Sequence, residues 1–391
     1  MSLGSSDLSE KKEQSNDERI ESEASALADC ILKSKHLVVF TGAGVSTSAG
    51  IPDFRGPNGI WTKEEGGLPV DFGTDPINAV PTPAHMALKS LQDSGFLKFL
   101  ISQNTDGLHR RSGIRSELLA ELHGCINVEL CNNCGLEYLR DFWCPREGNS
   151  ARQHKTERKC RCGQWLRDTI VNFSEQLPQK ALAQSFEQAK QSDLFIVLGS
   201  SLLVTPACDL PSEAKANGAK LVICNLQTTP LDNLADLRVF GKCDQLLQRT
   251  ISKLGIAIEP WKLRREIRVR FETIKQNGRK MRLERRYYCK IIVQCFCTDG
   301  SAISAFKQVK LNAQVKKKEP YEFDICTRKP GFAANLTFYF YQNFDEPKLA
   351  VPLHFNCDHG NCVKRISICF SPGNEKNWEL RISDPESAPR M

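Results

Sequence analysis

Four short apolar runs punctuate the first two-thirds of the chain: Leu37-Val38-Val39-Phe40, Phe99-Leu100-Ile101, Leu194-Phe195-Ile196-Val197-Leu198 and Leu221-Val222-Ile223. Polar residues do not interrupt them, so each reads as a strand covered on both faces. Each ends in small or polar residues, namely Thr41-Gly42, Ser102-Gln103-Asn104, Gly199-Ser200-Ser201 and Asn225. Helical stretches lie between the runs. This alternation predicts an α/β fold with a Rossmann-like parallel sheet over residues 24–260. Ligands of such sheets bind beyond the carboxyl ends of the strands, so the four polar turns are expected to converge on one crevice.

The pattern changes further on. Ile291-Ile292-Val293, the run from Leu336 to Tyr341, Pro352-Leu353-His354-Phe355 and Ile366-Ser367-Ile368-Cys369-Phe370 read as strands of a separate β-rich unit over 289–391, an antiparallel sandwich or half-barrel. Residues 1–23 are rich in Ser, Glu, Lys and Asp and are expected to be a disordered tail. Residues 261–288 form a basic connector with Arg264, Arg265, Arg268, Arg270, Arg279, Lys280, Arg282, Arg285 and Arg286. It reads either as a solvated linker or as a nucleic-acid or nucleosome contact, or a nuclear-import signal. Lys316-Lys317-Lys318 is a second basic cluster.

Of the 391 residues, 40% are hydrophobic and 25% charged, the balance of a soluble globular protein. No apolar run reaches the roughly 18 residues of a membrane span. The polar N-terminus has no signal-peptide core, which places the chain in the cytosol or nucleus. A reducing compartment makes 17 cysteines notable. Cys131-Asn132-Asn133-Cys134 and Cys160-Arg161-Cys162-Gly163 are two close pairs across a linker, the spacing of a tetrahedral thiolate zinc site within a module spanning about 125–168. The second pair is C-x-C, so Cys144 stands as the alternative to Cys160. A closed four-sulfur shell makes this zinc structural. Cys224 reads instead as a small buried apolar residue. His354, Cys357, His359 and Cys362 are close enough in sequence to form a second metal site.

The turn Thr41-Gly42-Ala43-Gly44-Val45-Ser46-Thr47 has glycines where a backbone can approach a pyrophosphate, although Thr47 stands where a third glycine would complete the dinucleotide fingerprint. A loop follows, Gly50-Ile51-Pro52-Asp53-Phe54-Arg55-Gly56-Pro57-Asn58-Gly59-Ile60-Trp61, with Phe, Arg and Trp that need a surface to cover. Ser102-Gln103-Asn104-Thr105-Asp106-Gly107-Leu108-His109 and Glu121-Leu122-His123-Gly124 supply the residue types that hold an amide, orient a ribose and accept a proton.

Together with Gly199-Ser200-Ser201-Leu202 and Asn225-Leu226-Gln227, these six ordered motifs make the chain resemble the sirtuin family over roughly residues 28–258. The departures are small: Thr105 stands where the family has an aliphatic residue, and Ser200 where it often has Thr. Gly56 to Thr62 and Leu166-Arg167-Asp168-Thr169-Ile170-Val171 are similar to the class IV sirtuins, the chromatin-associated nuclear branch. In that branch a Trp-bearing segment replaces the flexible cofactor loop and small helical module of other members.

The resemblance implies an NAD-dependent protein-lysine deacylase. Gly42, Ala43, Thr47, Asp53, Phe54, Arg55 and Trp61 would line the pocket for the phosphates, ribose and nicotinamide of NAD+. Gln103 would contact the nicotinamide-side ribose, and Asn104 and Asp106 would hold the carboxamide. Gly199, Ser200 and Ser201 would cradle the adenosine half, with Asn225 and Gln227 on its ribose and Lys242 and Cys243 beside the adenine. His123 would be the general base. The family's reaction begins with attack of an acyl-lysine oxygen on C1′ of the nicotinamide ribose, with loss of nicotinamide. His123 then takes a ribose hydroxyl proton, and the products are lysine and O-acyl-ADP-ribose. An apolar crevice wall protects the reacting carbon from water. Acylated lysines of protein substrates, histone tails among them, are the implied partners, and the nucleus the implied location. The same pocket fits two other functions: mono-ADP-ribosyl transfer, or an NAD-sensing chromatin scaffold with little turnover.

Overall fold

The computed structural model describes residues 17–145, 153–274, 286–371 and 378–383. The chain divides into two compact units. The first takes in Met1–Val128, Pro145–Lys159 and Trp165–Trp261, and the second Glu129–Cys144, Cys160–Gln164 and Lys262–Met391. No helix among the described residues is long and apolar enough to cross a membrane.

The first unit is built on a six-stranded sheet: β1 (Leu37–Thr41), β2 (Leu97–Ser102), β3 (Leu119–Glu121), β4 (Leu194–Leu198), β5 (Lys220–Cys224) and β6 (Leu237–Val239), in the order β6-β5-β4-β1-β2-β3. Every pairing is parallel. The continuous apolar runs divide by period two. Leu37 and Val39 face one core with α1 (Asp17–Lys33), α2 (Pro83–Asp93) and the later helix Cys243–Lys253, whereas Val38 and Phe40 face the other with Gln179–Gln191 and Leu210–Ala216. Helices therefore cover both faces, which is why these strands read as uninterrupted apolar segments. After β1 the chain adds β2 and β3 on one side, then returns to place β4 on the other. The order reverses between β1 and β4, and in sheets of this kind ligands bind beyond the strand ends at such a point.

The N-terminal boundary differs from the expected tail. Helix α1 begins at Asp17, and Ile20, Ala24, Leu27, Ala28 and Ile31 are buried along one face of it. Their 4-3-1-3 spacing is that of a helix stripe, and it outweighs the polar composition around Ile20. The remainder of that tail, residues 1–16, lies outside the described residues.

The second unit is an antiparallel sandwich. One sheet runs β16 (Trp378–Ser383), β15 (Cys362–Phe370), β7 (Leu263–Thr273), β8 (Tyr287–Phe296), with β9 (Ala302–Ser304) and β12 (Tyr321–Thr327) also on β8. The other is β11 (Gln314–Lys316), β10 (Phe306–Leu311), β13 (Gly331–Phe340), β14 (Leu349–Asn356). Ile267, Val269, Phe271, Ile291 and Phe323 from the first meet Leu336, Phe338, Leu353 and Phe355 from the second, and the rings of Phe271 and Phe355 stack at 5.0 Å.

The basic connector is corrected here. Leu263–Thr273 is a long strand paired on both edges, because Ile267, Val269 and Phe271 alternate with its arginines. Arg268 pairs with Glu266, and Arg270 with Glu272 at 3.5 Å. Arg279, Lys280, Arg282 and Arg285 lie outside the described residues. The four residues considered for a second metal site do not converge either. Among the described residues the metal-competent cluster lies elsewhere, and Cys357 packs with the Ile267–Phe271 core beside Cys289.

Replacing Ile20 with Ala is expected to destabilise the first unit by about 2–5 kcal/mol, the cost of a buried aliphatic truncation. Chemical denaturation checks this, and a loss near zero would return residues 17–23 to the tail.

Candidate active site and metal centre

The switch point is stitched by backbone. Gly42 N–H donates to Leu198 O at 2.9 Å, Gly44 N–H to Gly199 O at 2.9 Å, and Gly199 N–H to Cys224 O at 2.8 Å. The loops after β1, β4 and β5 are thus drawn into one floor. A Cβ on Gly42 would lie 2.7 Å from Gly199 O, and one on Gly44 2.7 Å from Gly199 Cα. Gly199 itself has φ +62°, a conformation that glycine adopts without strain.

The loop after β2 completes the floor. Gln103 N–H donates to Thr41 O at 2.9 Å, and its Oε1 accepts from the Ser200 hydroxyl at 2.7 Å. Asn104 Nδ2 donates to Gly42 O at 3.1 Å and to Ser46 Oγ at 3.3 Å, which leaves its Oδ1 as an acceptor. The Asp106 carboxylate accepts from Ser46 Oγ at 2.7 Å and from Leu108 N–H at 2.8 Å. Ser46, buried between Asn104 and Asp106, is a positioning side chain that sequence reading passed over, although it lies inside the glycine turn.

His123 follows β3. Its Nδ1 lies 2.8 Å from Gln103 O, so Nδ1 carries the proton and Nε2 keeps its lone pair. Partial burial pulls its pKa below the usual histidine value against the opposing pull of the Gln103 carbonyl. The ring is therefore a neutral base near pH 7. His109 and His85 differ. Both are fully buried, their rings 4.6 Å apart, and burial holds each pKa at about 3. His109 Nε2 lies 2.9 Å from Thr41 Oγ1, and His85 Nδ1 2.7 Å from Thr82 Oγ1, so the two act inside the core.

The loop after the glycine turn forms an aromatic wall. Trp61 lies 4.9 Å from Phe54 and 5.6 Å from Phe173, with the Arg55 guanidinium 4.3 Å above its ring. Asp53 ties the loop by accepting from Gly56 N–H at 3.0 Å, and its burial raises its pKa against that bond. Phe173, 72% exposed, was not singled out from sequence; its signal was a lone aromatic in a polar loop. Val171 N–H donates to His123 O at 3.0 Å and anchors this segment beside the histidine. On the far side, Asn225 Nδ2 donates to Gln227 O at 3.0 Å, and Arg238 donates to the backbone of both residues. Thr47 and Ser201 lie on their strand-end loops, Thr47 exposed and Ser201 half-buried. Cys243 is buried against Cys224, whose thiol raises its pKa together with burial.

Residues 72–206 match the Sir2 family. The "NAD-dependent protein deacetylase SRT1" of Arabidopsis thaliana is 47% identical over 239 residues, covering 60% of this chain and 50% of that protein. The "NAD-dependent protein deacetylase Sirt6" of Drosophila melanogaster is 40% identical over 250 residues, covering 62% of this chain and 78% of that protein. The "NAD-dependent protein deacylase 2" of Archaeoglobus fulgidus is 37% identical over 257 residues and is covered over 97% of its length. This chain belongs to the Sir2 family. It spans about half the length of the plant relatives it matches.

In this Sir2 chain the sulfurs of Cys131, Cys134, Cys160 and Cys162 lie within 4.8 Å of one another. Tetrahedral zinc with Zn–S near 2.3 Å needs sulfurs about 3.8 Å apart. The contacts of 3.5 Å between Cys131 and Cys162 and of 3.4 Å between Cys134 and Cys160 fit one ion with little adjustment. Cys144 stands outside, its thiol toward Phe142 O, so Cys160 is the fourth sulfur. The expected zinc module is split between the units: the cysteine segments belong to the second, whereas the hairpin Lys155–Lys159 with Trp165–Asp168 belongs to the first. The reason is long-range pairing. Glu137–Arg140 pairs with β9, Arg140 reaches buried Glu129 at 2.6 Å, and Asp141 pairs with Arg265 at 2.8 Å.

Elemental analysis is expected to find one zinc per chain, lost in Cys160→Ser and retained in Cys144→Ser; the reverse pattern would exchange the two ligands.

His154 bridges two carboxylates, with Nδ1 2.9 Å from Asp168 and Nε2 3.1 Å from Glu175. Burial alone would lower its pKa, but the two acids outweigh that and raise it. The protonated ring donates to both acids and fastens the Phe173 segment. A raised histidine pKa contributes stability that is complete below the unfolded value and is lost as pH rises through the folded one. His154→Gln is therefore expected to lower the thermal midpoint in mildly acidic buffer, with the difference from wild type shrinking in alkaline buffer. A pH-independent difference would contradict the charged bridge.

Proposed function

We propose that this chain is an NAD-dependent protein-lysine deacylase. The observation that carries the reading is the 2.8 Å contact of His123 Nδ1 with Gln103 O: a carbonyl only accepts, so the proton belongs on Nδ1 and a neutral Nε2 is left as the base. A base with a pKa below the usual histidine value is ready at neutral pH. The close Gly42–Gly44–Gly199 approach is a cradle that side chains would fill, which fits a dinucleotide. When bound, NAD+ supplies the electrophilic ribose carbon and the nicotinamide leaving group.

The chain's own residues take the following roles. Asn104 Oδ1 accepts from the carboxamide, and Asp106, held by Ser46 and Leu108, fixes the loop that presents it. Gln103, clamped by Ser200, faces the adjoining ribose. Gly199, Ser200 and Ser201 receive the adenosine half, and Asn225 and Gln227 its ribose. Cys243 is buried, so its contact with an adenine is made through the backbone at its helix N-terminus. Phe54, Arg55, Trp61 and Phe173 exclude water from the reacting carbon. The single zinc is structural, because four thiolates leave no open position.

The relatives' names give acylated proteins as the substrate class, and the resemblance to sirtuins specifies acylated lysines. Acetylated histone tails and a nuclear, chromatin-bound setting are proposed from the likeness of Gly56 to Thr62 and Leu166 to Val171 to class IV members.

Mass spectrometry of an acetylated histone-tail peptide incubated with NAD+ is expected to show free lysine and O-acetyl-ADP-ribose. His123→Tyr is expected to abolish both products while thermal unfolding stays unchanged. Label moving from NAD+ onto protein without lysine release would indicate an ADP-ribosyltransferase. NAD+ binding without either product would indicate a sensor.

A further inference from the structure

The sheet β11-β10-β13-β14 turns one face to the sandwich core and the other to solvent. Val309, Leu311, Leu336, Phe338, Val351 and Leu353 are buried. Between them the register sets Lys310, Thr337 and Ala350 in one outward row. Gln308 pairs with Tyr339 in the next row, and the Lys348 ammonium lies 5.5 Å from the Tyr339 ring centre. At the strand end Lys307 lies 5.9 Å from the ring centre of Tyr341. Asn335 and Pro352 form the row on the other side of Lys310.

None of the four strands contains Asp or Glu. The edge strand β11 runs directly into exposed Lys316-Lys317-Lys318. Lys307, Lys310, Lys348 and these three make no ion pair among the described residues. The turn before Lys348 carries two acids, of which Glu346 is buried and Asp345 is exposed. The opposite sheet has the contrary pattern. Four of its outward cations have acid partners, Arg268 with Glu266, Arg270 with Glu272, Lys290 with Glu322 and Arg381 with Glu379, while Arg365, opposite Arg268 in the register, makes no ion pair among the described residues. Most outward cations are therefore paired on one side of the sandwich, and the lysines named above are unpaired on the other.

Uncompensated ammonium groups around tyrosine rings suit a polyanion that also offers flat π-faces. A duplex satisfies only half of this, since its bases are stacked within and its phosphates need no ring. A single strand satisfies both, with lysines following the backbone and unstacked bases seated on aromatic faces. The neutral groups of Gln308, Asn335 and Thr337 on the same face can exchange hydrogen bonds with ribose 2′-hydroxyls, which DNA lacks. We propose that this outward face binds single-stranded RNA. The face belongs to the second unit, and the proposal does not rest on the deacylase reading.

Fluorescence anisotropy of the full chain with labelled oligouridine tests it, alongside oligothymidine, an RNA duplex and a polyglutamate peptide. Oligouridine is expected to bind tightest, with a log–log salt slope of about 0.7 per phosphate neutralised. Tyr339→Ala is expected to weaken binding roughly 5- to 150-fold, as loss of one base–ring stack does, and Tyr339→Phe to retain it. Lys310→Gln with Lys348→Gln should lower the slope by roughly 1.4. All of these side chains point outward, so thermal unfolding and lysine release stay at wild-type levels. Absence of oligouridine binding, equal binding of duplex or polyglutamate, or insensitivity to both sets of variants would overturn the proposal. Oligothymidine bound as tightly as oligouridine would overturn the assignment to RNA.

Discussion

The first unit depends on a close approach between two backbones. Gly42 and Gly44 meet Gly199 where strand order reverses, and both donate across the gap at 2.9 Å, to Leu198 O and Gly199 O. Nothing larger than hydrogen fits on those α-carbons. That contact sets the separation of the β1 and β4 loops. Asn104 is then fixed by Gly42 O, Gln103 by Ser200, and His123 by Gln103 O. These three side chains are thus oriented, in one or two hydrogen bonds, by the same glycine floor. Rigid strands beneath and preorganised polar groups above are what catalysis by positioning requires.

The second unit uses a different kind of constraint. Four thiolates converge only if two separated segments, Glu129–Cys144 and Cys160–Gln164, are brought together. A metal bound there contributes directly to folding, because the unfolded chain offers no preformed site. The adjoining ion pair of Arg140 with fully buried Glu129 also carries a hydrogen bond to Ser304 and a contact of 3.1 Å with Glu319. A buried charge pair of this sort stabilises only when its remaining valences are met, as they are here. Through these groups the cysteine segments are held to the sandwich.

Much of the first unit's fold was legible because buried parallel strands write themselves as continuous apolar runs, and all four runs are strands of the one sheet. The residues that the strand-end loops bring together were legible because they sit at the ends of those runs. What escaped depended on distant partners. Ser46 is one small polar residue in a turn until Asp106 and Asn104 arrive from the next loop. Phe173 has meaning only beside Trp61. The stretch from Leu263 to Thr273 was misread because its arginine content masked an alternation that is plain once Ile267, Val269 and Phe271 are seen to share a face. Helix α1 started early for a similar reason: a single isoleucine, Ile20, extends the buried stripe into polar sequence. The partition of the zinc segments could not be read at all, since it rests on pairing between residues some 160 positions apart, Leu139 with Ile303.

The central claim is that the glycine floor is the cradle for a dinucleotide. Calorimetric titration of ADP-ribose into wild type and Gly44→Ala tests it most directly, with circular dichroism to confirm that the variant is folded. The account predicts one ADP-ribose per wild-type chain and loss of measurable affinity in the folded variant, because the added methyl group pushes the two turns apart. Equal affinity in both proteins, or no affinity in wild type, would contradict it.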